Sequence, residues 1–262
     1  MAEKDNHRNL DNAPGVIQKA ASLAAHEVTD EELKAINKYA LTPLTAEEVF
    51  TFKAVLCDNE VDRVFEQFTQ KALQDLQKLF LGKTVIKDHV HRADNQVARI
   101  YKTELVQGSK TLKSGEIYTQ LVAHCYMVKT ASNADLIAEI KGGIKKEGSV
   151  GCSITGSICS ICGTDNTKSY CRHWPGRSYD KEAGAEVCIF KLTGAKDAYE
   201  FSLVAVPAQR SAGVSKSYTG KTVYETAENP ETPPEDDQKD LVKLMAIRAR
   251  LSAQKAKNTP NI

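Results

Sequence analysis

Ser149 stands in a segment of small residues that suits a serine nucleophile. The segment KKEGSVGCSITG covers residues 145–156, with Gly148 before the serine and Val150-Gly151 after it. Small neighbours leave the hydroxyl uncrowded and let backbone N–H groups approach a bound carbonyl, as acyl transfer beside an oxyanion site requires. A serine among glycines is also typical of a turn. The choice between these interpretations depends on a base and an acid elsewhere in the chain.

Two histidines follow a short apolar segment about 60 residues before that serine. His89 and His91 form an H-x-H pair after Thr84-Val85-Ile86. In an extended strand, both side chains would point to the same face. One histidine could then act as a general base, both could bind a metal, or both could be polar loop residues. The spacing leaves these three interpretations open.

Glu200 lies in the apolar segment YEFSLVAV, residues 199–206, which predicts a strand. A carboxylate in such surroundings needs a partner. One role is to orient a histidine and stabilise its imidazolium. The alternative is a glutamate at a strand end in contact with water. His89, Ser149 and Glu200 together contain the three residue types of a serine hydrolase.

The most specific spacing in the chain is Cys159-x-x-Cys162, followed after eight residues by Cys171-x-His173. Three thiols and an imidazole at this spacing suit a tetrahedral Zn²⁺ ion, and Gly163 suits the tight turn of a zinc knuckle. Four protein ligands close such a site, so the sequence predicts a structural zinc rather than a catalytic one. We expect the remaining cysteines to be small buried hydrophobic residues, namely Cys57, Cys125, Cys152 and Cys188.

Length and composition are those of an ordinary globular protein. The chain has 262 residues, of which 41% are hydrophobic and 26% charged, and its formal net charge is +1. Near-neutral charge with scattered basic residues does not favour specific binding to nucleic acid. No apolar run approaches the roughly 18 residues of a membrane-spanning helix, and the polar N-terminus lacks the apolar core of a signal peptide. Seven cysteines, an odd number, favour reduced thiols and a metal over a disulfide framework, so we expect a cytoplasmic protein.

The elements that must position these residues follow a polar N-terminal arm. Residues 29–32 resemble a capping box and predict a short surface helix through about Tyr39. Alternation predicts a first core strand over 49–56, and three- and four-residue spacing predicts an amphipathic helix over 61–79. A short strand over 84–86 then delivers His89. We expect further strands over 96–105, 116–128, 187–192 and 199–206 and around Ser149, and a helix over 133–144.

The composition changes after Ser215. Residues 225–237 contain six acidic residues, three prolines and no Lys or Arg, which predicts a solvated linker. A short basic amphipathic helix follows, marked by Leu241, Leu244, Met245 and Leu251. The predicted domains are an N-terminal arm and short helix over 1–43, a main domain over 44–215 with a Cys-rich insertion at 157–184, and a tail over 216–262.

Four segments, in this order, resemble the prohead (capsid maturation) serine proteases of tailed bacteriophages. They are VIKDH, NQVARIY, GSVGCS and DAYEFSLVAVPAQ, and the likeness covers roughly residues 44–215. The resemblance implies His89 rather than His91 as the base and Ser149 rather than Ser153 as the nucleophile. It implies Glu200, in E-x-S-x-V, as the third member. The implied fold is of the α+β class and similar to the herpesvirus assemblin, a partly closed antiparallel β-barrel flanked by helices. The Cys-rich insertion departs from the simplest members.

The resemblance also implies a function. His89 would take the proton of Ser149 as it attacks a peptide carbonyl, and Glu200 would hold the imidazole in its tautomer. The substrates would be capsid and scaffold proteins, and the protein itself, inside an assembling procapsid in the host cytoplasm. Self-association is expected, whereas a membrane, specific nucleic acid and a catalytic metal are not. The alternative is a non-catalytic capsid scaffolding or assembly protein with a structural zinc knuckle, since the insertion and tail fit both.

Overall fold

A computed structural model describes residues 28–181 and 184–215 of the chain. These residues lie in one compact unit and contain three α-helices and ten β-strands. The order along the chain is α1 (Asp30–Ile36), β1 (Val49–Asp58), β2 (Glu66–Phe68), α2 (Gln70–Leu79), β3 (Thr84–Lys87), β4 (Ala98–Thr111), β5 (Ile117–Val128), α3 (Ala134–Lys141), β6 (Gly148–Cys159), β7 (Ser178–Lys181), β8 (Gly184–Val187), β9 (Phe190–Leu203) and β10 (Gly213–Ser215). The fold is α+β with strands predominating, as the sequence predicts. The predicted acidic linker and tail helix lie outside the described residues.

Eight strands form one mixed sheet. Seven follow the order β10-β1-β5-β4-β3-β9-β2, β6 pairs with the other edge of β9, and β7 and β8 form a separate hairpin. β2 and β3 both run parallel to β9, pairing with residues 190–192 and 200–203 respectively. The sheet is therefore mixed rather than antiparallel as the resemblance implied, because α2 links two strands that pair with the same edge of β9 in one direction. No closed barrel is found among residues 28–181 and 184–215.

The two ends of the sheet meet where β6 begins. An antiparallel bridge joins Glu147 to Gly213, and the Val214 N–H donates to the Lys146 carbonyl oxygen at 2.6 Å. Gly213 has a φ of 154°, and a Cβ at this position would lie 2.2 Å from the same Lys146 oxygen. Only glycine permits this approach. The segment that precedes Ser149 is thus anchored to β10 and, through it, to β1.

The main core lies between α2 and one face of the sheet. α2 buries Ala72, Leu73 and Leu76, and Phe201 of β9 is fully buried in the same cluster. Because side chains alternate along a strand, the residues on either side of Phe201 point to the opposite face. The core therefore fixes the direction in which β9 presents Glu200.

The helix predicted over residues 61–79 is shorter than expected. α2 begins only at Gln70, where the side chain of the preceding Thr69 accepts the Ala72 N–H at 3.3 Å. The earlier residues form turns and β2, since one carboxylate oxygen of Asp62 accepts the N–H groups of Val64 and Glu66 at 2.9 and 2.8 Å. Side-chain bonds of this kind stabilise a turn in competition with a helix.

α1 begins with the predicted capping box, in which Thr29 and Glu32 each accept the other's backbone N–H. The expectation that this helix lies outside the core is wrong, because Ile36 is fully buried in a second cluster with Val49, Tyr101 and Tyr126. No helix in the described part of the chain is long and apolar enough to cross a membrane.

Candidate active site and metal site

Three adjacent strands carry the residues of the predicted catalytic trio. β9 lies between β3 and β6 and carries Glu200, Ser149 is the second residue of β6, and His89 follows β3 by two residues. The register pairs Ser149 with Ser202 and Gly151 with Glu200. Since directly opposed residues share a face of the sheet, Ser149 lies on the face that carries Glu200 and Ser202.

His89 and Glu200 are in direct contact. His89 Nδ1 lies 2.8 Å from Glu200 Oε1. The Glu200 side chain is 1% exposed, whereas that of His89 is 42% exposed. A carboxylate buried to this degree requires hydrogen-bond partners. The histidine supplies one of them while much of its ring stays open to solvent.

A tight turn after β3 aims the imidazole. Asp88 and His89 have φ values of 56° and 54°, a left-handed conformation that is uncommon for residues other than glycine. The strand ends at Lys87, so His89 and His91 do not lie on one extended face as the sequence suggested. His91 is exposed, and the two histidines do not form a metal-binding group among the described residues. The turn separates the two histidines, and of the two only His89 contacts Glu200.

Ser202, which the sequence did not single out, completes the contact. It is fully buried, and its Oγ donates to Glu200 Oε2 at 2.6 Å. The same Oγ accepts the backbone N–H of His89 at 3.1 Å. The signal for this residue was the E-x-S spacing, because residues two apart in a strand lie on one face.

Glycines on either side of Ser149 permit close packing of the site. A Cβ at Gly148 would lie 2.1 Å from the Phe201 ring, and a Cβ at Gly151 would lie 2.4 Å from Glu200 Oε1. Ser149 is partly exposed, and its hydroxyl makes no hydrogen bond to His89 in the part of the chain that the structure describes. His89 and Glu200 are therefore in contact, whereas no hydrogen bond joins Ser149 to His89 among the described residues. In catalytic sites such bonds often tighten only when substrate binds.

The backbone of β6 has one unpaired edge next to Ser149. The Glu147 carbonyl accepts the Val204 N–H at 3.0 Å, and the Gly148 N–H donates to the Ala212 carbonyl at 3.2 Å. Backbone groups alternate along a strand, so those of Val150 point away from β9. Apart from the isolated bridges of Glu147 with Gly213 and of Ile158 with Asp165, β6 pairs with β9 alone among the described strands. Such an edge can accept an extended peptide as an added strand.

Four donor atoms converge in the Cys-rich insertion. Ligand atoms of Cys159, Cys162, Cys171 and His173 all lie within 4.8 Å of one another. His173 Nδ1 is buried and has no hydrogen-bond partner among the described residues, which a metal ion would satisfy. The Gly163 N–H donates to the Cys159 carbonyl at 2.9 Å, closing the turn between the first two cysteines. These four residues, the metal cluster, can hold a metal ion.

Cys162 in the insertion and Cys188 just after it have thiols with opposite tendencies to ionise. Hydrogen bonding with Thr164 lowers the pKa of the exposed Cys162 thiol to about 6, which favours the thiolate that binds a metal. Burial raises the pKa of Cys188 to about 12, and its Sγ lies 3.7 Å from Cys159 Sγ. Cys188 is thus a neutral buried thiol beside the metal cluster. Of the other predicted buried cysteines, Cys57 and Cys125 are buried and Cys152 only partly so.

The metal cluster lies at the opposite end of the β6–β9 pair from Ser149. Ser149 is the second residue of β6 and Cys159 the last. At about 3.3 Å per residue, the separation along the strand is on the order of 30 Å. A metal held by this cluster cannot contact a group that reacts at Ser149.

No protein-family model matches the chain, and neither a curated protein nor a solved structure is significantly similar to it. The functional argument therefore depends on the geometry of the two sites.

Proposed function

We propose that the protein is a serine endopeptidase in which Ser149 is the nucleophile, His89 the base and Glu200 the residue that orients His89. The observation that carries the proposal is the 2.8 Å contact between His89 Nδ1 and Glu200 Oε1, next to the strand that bears Ser149. A histidine held by a buried carboxylate through one ring nitrogen presents the other nitrogen as a base.

The proposed reaction proceeds through an acyl-enzyme. His89 Nε2 takes the proton of Ser149 as Oγ attacks the carbonyl carbon of a peptide bond. The buried carboxylate of Glu200 stabilises the imidazolium that forms. His89 then gives the proton to the leaving amine, and a water molecule attacks the acyl group with His89 again as base, which restores Ser149.

The unpaired edge of β6 supports an extended peptide as substrate. Residues 149 and 151 direct their backbone groups toward β9, and Gly148 donates to Ala212, so Val150 has the nearest N–H to Ser149 that points away from β9 and has no backbone acceptor among the described residues. We assign this N–H to the substrate, either as a donor to its main chain or to the developing oxyanion. This fits the sequence-based expectation that the small neighbours of Ser149 let backbone N–H groups approach a bound carbonyl.

The resemblance to prohead proteases supplies the biological part of the proposal. Scaffold and capsid proteins, and the chain itself, are the proposed substrates, cleaved within a procapsid assembling in the host cytoplasm. The partly closed barrel of the assemblin type belongs to this proposal. The bridge between Glu147 and Gly213 supports it, because that bridge links β6 to the β10 end of the sheet.

We assign a structural Zn²⁺ to the metal cluster. Three thiolates and one imidazole satisfy tetrahedral zinc and leave no position for a substrate. The ion would hold the turns of the insertion together and would supply no step of the reaction at Ser149. The orphaned Nδ1 of His173 supports this assignment.

A non-catalytic capsid scaffolding or assembly protein is the second candidate. The observation that favours it is the absence of a hydrogen bond between Ser149 and His89 in the described part of the chain. A scaffolding protein would keep the contact between His89 and the buried Glu200 as a structural hydrogen bond without any reactivity at Ser149.

A fluorophosphonate reagent, which forms a covalent bond with activated serines, separates the two candidates. Intact mass should show one adduct on the wild-type protein, located at Ser149 by peptide mapping. Ser149→Ala and His89→Ala should abolish the adduct and self-cleavage, whereas Ser153→Ala and His91→Ala, the matched controls, should retain both. A folded wild-type protein without an adduct at Ser149 would remove the protease proposal and favour scaffolding.

A further inference from the structure

We propose that Ser202 is a positioning residue of the active site, so that four residues rather than three prepare the reaction. This inference depends on the proposed serine endopeptidase function. Ser202 stands opposite Ser149 in the β6–β9 register and is fully buried beneath the contact between His89 and Glu200.

One hydroxyl of Ser202 connects the acid to the base. The hydroxyl donates a hydrogen bond to Glu200 Oε2 at 2.6 Å and accepts one from the His89 backbone N–H at 3.1 Å. The contact of His89 Nδ1 with Glu200 Oε1 closes a ring that passes through all three residues. A serine hydroxyl has one proton and two lone pairs, so Ser202 can make both bonds at once and has no further hydrogen to donate.

The ring fixes the orientation of the carboxylate. A hydrogen bond to Oε1 alone would leave the Glu200 carboxylate free to rotate about its terminal torsion, which has only a broad preference. With Oε2 held by Ser202, both oxygens are fixed and Oε1 points at His89. A base oriented by a fixed carboxylate is preorganised for proton transfer.

The ring also holds the backbone of the base. Asp88 and His89 both adopt the left-handed conformation, which persists at such residues only where surrounding contacts hold it. The Asp88 N–H donates to the Leu203 carbonyl at 3.0 Å, and the His89 N–H donates to Ser202. Two successive residues of β9 thus hold two successive amides of the turn. Ser202 is the one that acts through a side chain and can be changed without altering the backbone of β9.

Two substitutions separate positioning from general stability. Ser202→Ala removes the hydroxyl without adding volume, and we expect the rate of fluorophosphonate labelling at Ser149 to fall about tenfold or more. Ser202→Thr keeps the hydroxyl but adds a methyl group at a fully buried position, which lowers the melting temperature. The threonine variant should nevertheless label faster than the alanine variant. Labelling that followed melting temperature rather than the hydroxyl would overturn the proposal.

A double-mutant cycle with Glu200→Gln tests the route of the effect and does not depend on the threonine variant. If Ser202 acts through Glu200, Ser202→Ala should change the labelling rate by less than about threefold once Glu200 is already glutamine. An equal loss in both backgrounds would overturn the ring as the route of the effect, because Ser202 would then act without Glu200. If the wild-type protein is labelled at Ser149 and the Ser202→Ala variant is labelled at the same rate, this inference alone is overturned. A folded wild-type protein that is not labelled at all would overturn the proposed function and this inference together.

Discussion

The contact of Gly151 with Glu200 makes Gly151→Ala a sensitive test of the site. Gly151 does not have a positive φ, so its backbone accepts alanine without strain. The new Cβ would lie 2.4 Å from Glu200 Oε1, whereas a real Cβ does not approach another atom closer than 3.0 Å. The carboxylate oxygen must therefore retreat by at least the difference, 3.0 − 2.4 = 0.6 Å.

This displacement is enough to break the contact with the base. Added along the 2.8 Å contact between His89 Nδ1 and Glu200 Oε1, a shift of 0.6 Å gives 3.4 Å, beyond the usual hydrogen-bond range. A hydrogen bond to a charged group contributes about 1.5–3 kcal/mol. At about 1.4 kcal/mol per tenfold change in rate, we expect labelling of Ser149 to fall about 10- to 100-fold. Stability should fall less, by about 1 kcal/mol, because alanine restricts the unfolded chain more than glycine does.

The assay is the rate of fluorophosphonate labelling measured beside urea unfolding, with Ser153→Ala as the control on the same strand. In a Glu200→Ala background the clash is absent, so Gly151→Ala should there be neutral or stabilising by about 0.5 kcal/mol. Wild-type labelling by the Gly151→Ala protein would refute the assignment of Glu200 as the residue that orients His89. Equal destabilisation in both backgrounds would show that the carboxylate is not the group displaced.

Two further predictions concern the metal cluster and a buried carboxyl group. Elemental analysis should find about one zinc per chain by the one-site assignment, and Cys171→Ser should release it. The fluorescence of Trp174, the single tryptophan, should change on removal of the metal, while labelling of the distant Ser149 changes less than about threefold. Trp174 fluorescence that stays the same after the metal is removed would contradict the zinc assignment. Burial raises the pKa of Asp62 to about 7, so the folded state keeps a proton that the unfolded chain releases near pH 4. Stability from this group is complete below about pH 4 and is lost as the pH rises toward 7. Asp62→Asn keeps the acceptor for Val64 and Glu66, so in urea unfolding it should equal wild type at pH 4 and exceed it at pH 7.5 by up to about 4 kcal/mol. Parallel pH profiles for the two proteins would contradict this assignment.

Local chemistry explains which elements could be predicted from the sequence. The capping box at Thr29, the alternation in β1 and the segment before Lys87 each depend on near neighbours, and the structure has all three. The prediction of a helix over residues 61–69 was wrong, because apolar spacing does not reveal the hydrogen bonds that the Asp62 side chain accepts from its own turn. β9 was predicted as two strands because its alternation is broken where the register to β6 shifts.

The residue types of the site could be predicted, whereas their contacts could not. The resemblance singled out His89, Ser149 and Glu200, and the structure brings the first and third together and places Ser149 on the neighbouring strand. The left-handed turn at Asp88 and the role of Ser202 depend on the parallel pairing of β3 with β9. That pairing joins segments far apart in sequence and has no local signature.

The pairing of β3 with β9 also sets when the site can exist. His89 and Glu200 are 111 residues apart, and closing so long a loop is among the slower events in folding. A ribosome adds about 5–20 residues per second, so the acid leaves it on the order of ten seconds after the base. Until β9 is complete, the nascent chain contains Ser149 and His89 but nothing to hold the left-handed turn or orient the imidazole. Any peptidase activity would therefore begin only after synthesis has passed Leu203, when β3 and β6 can both pair with β9.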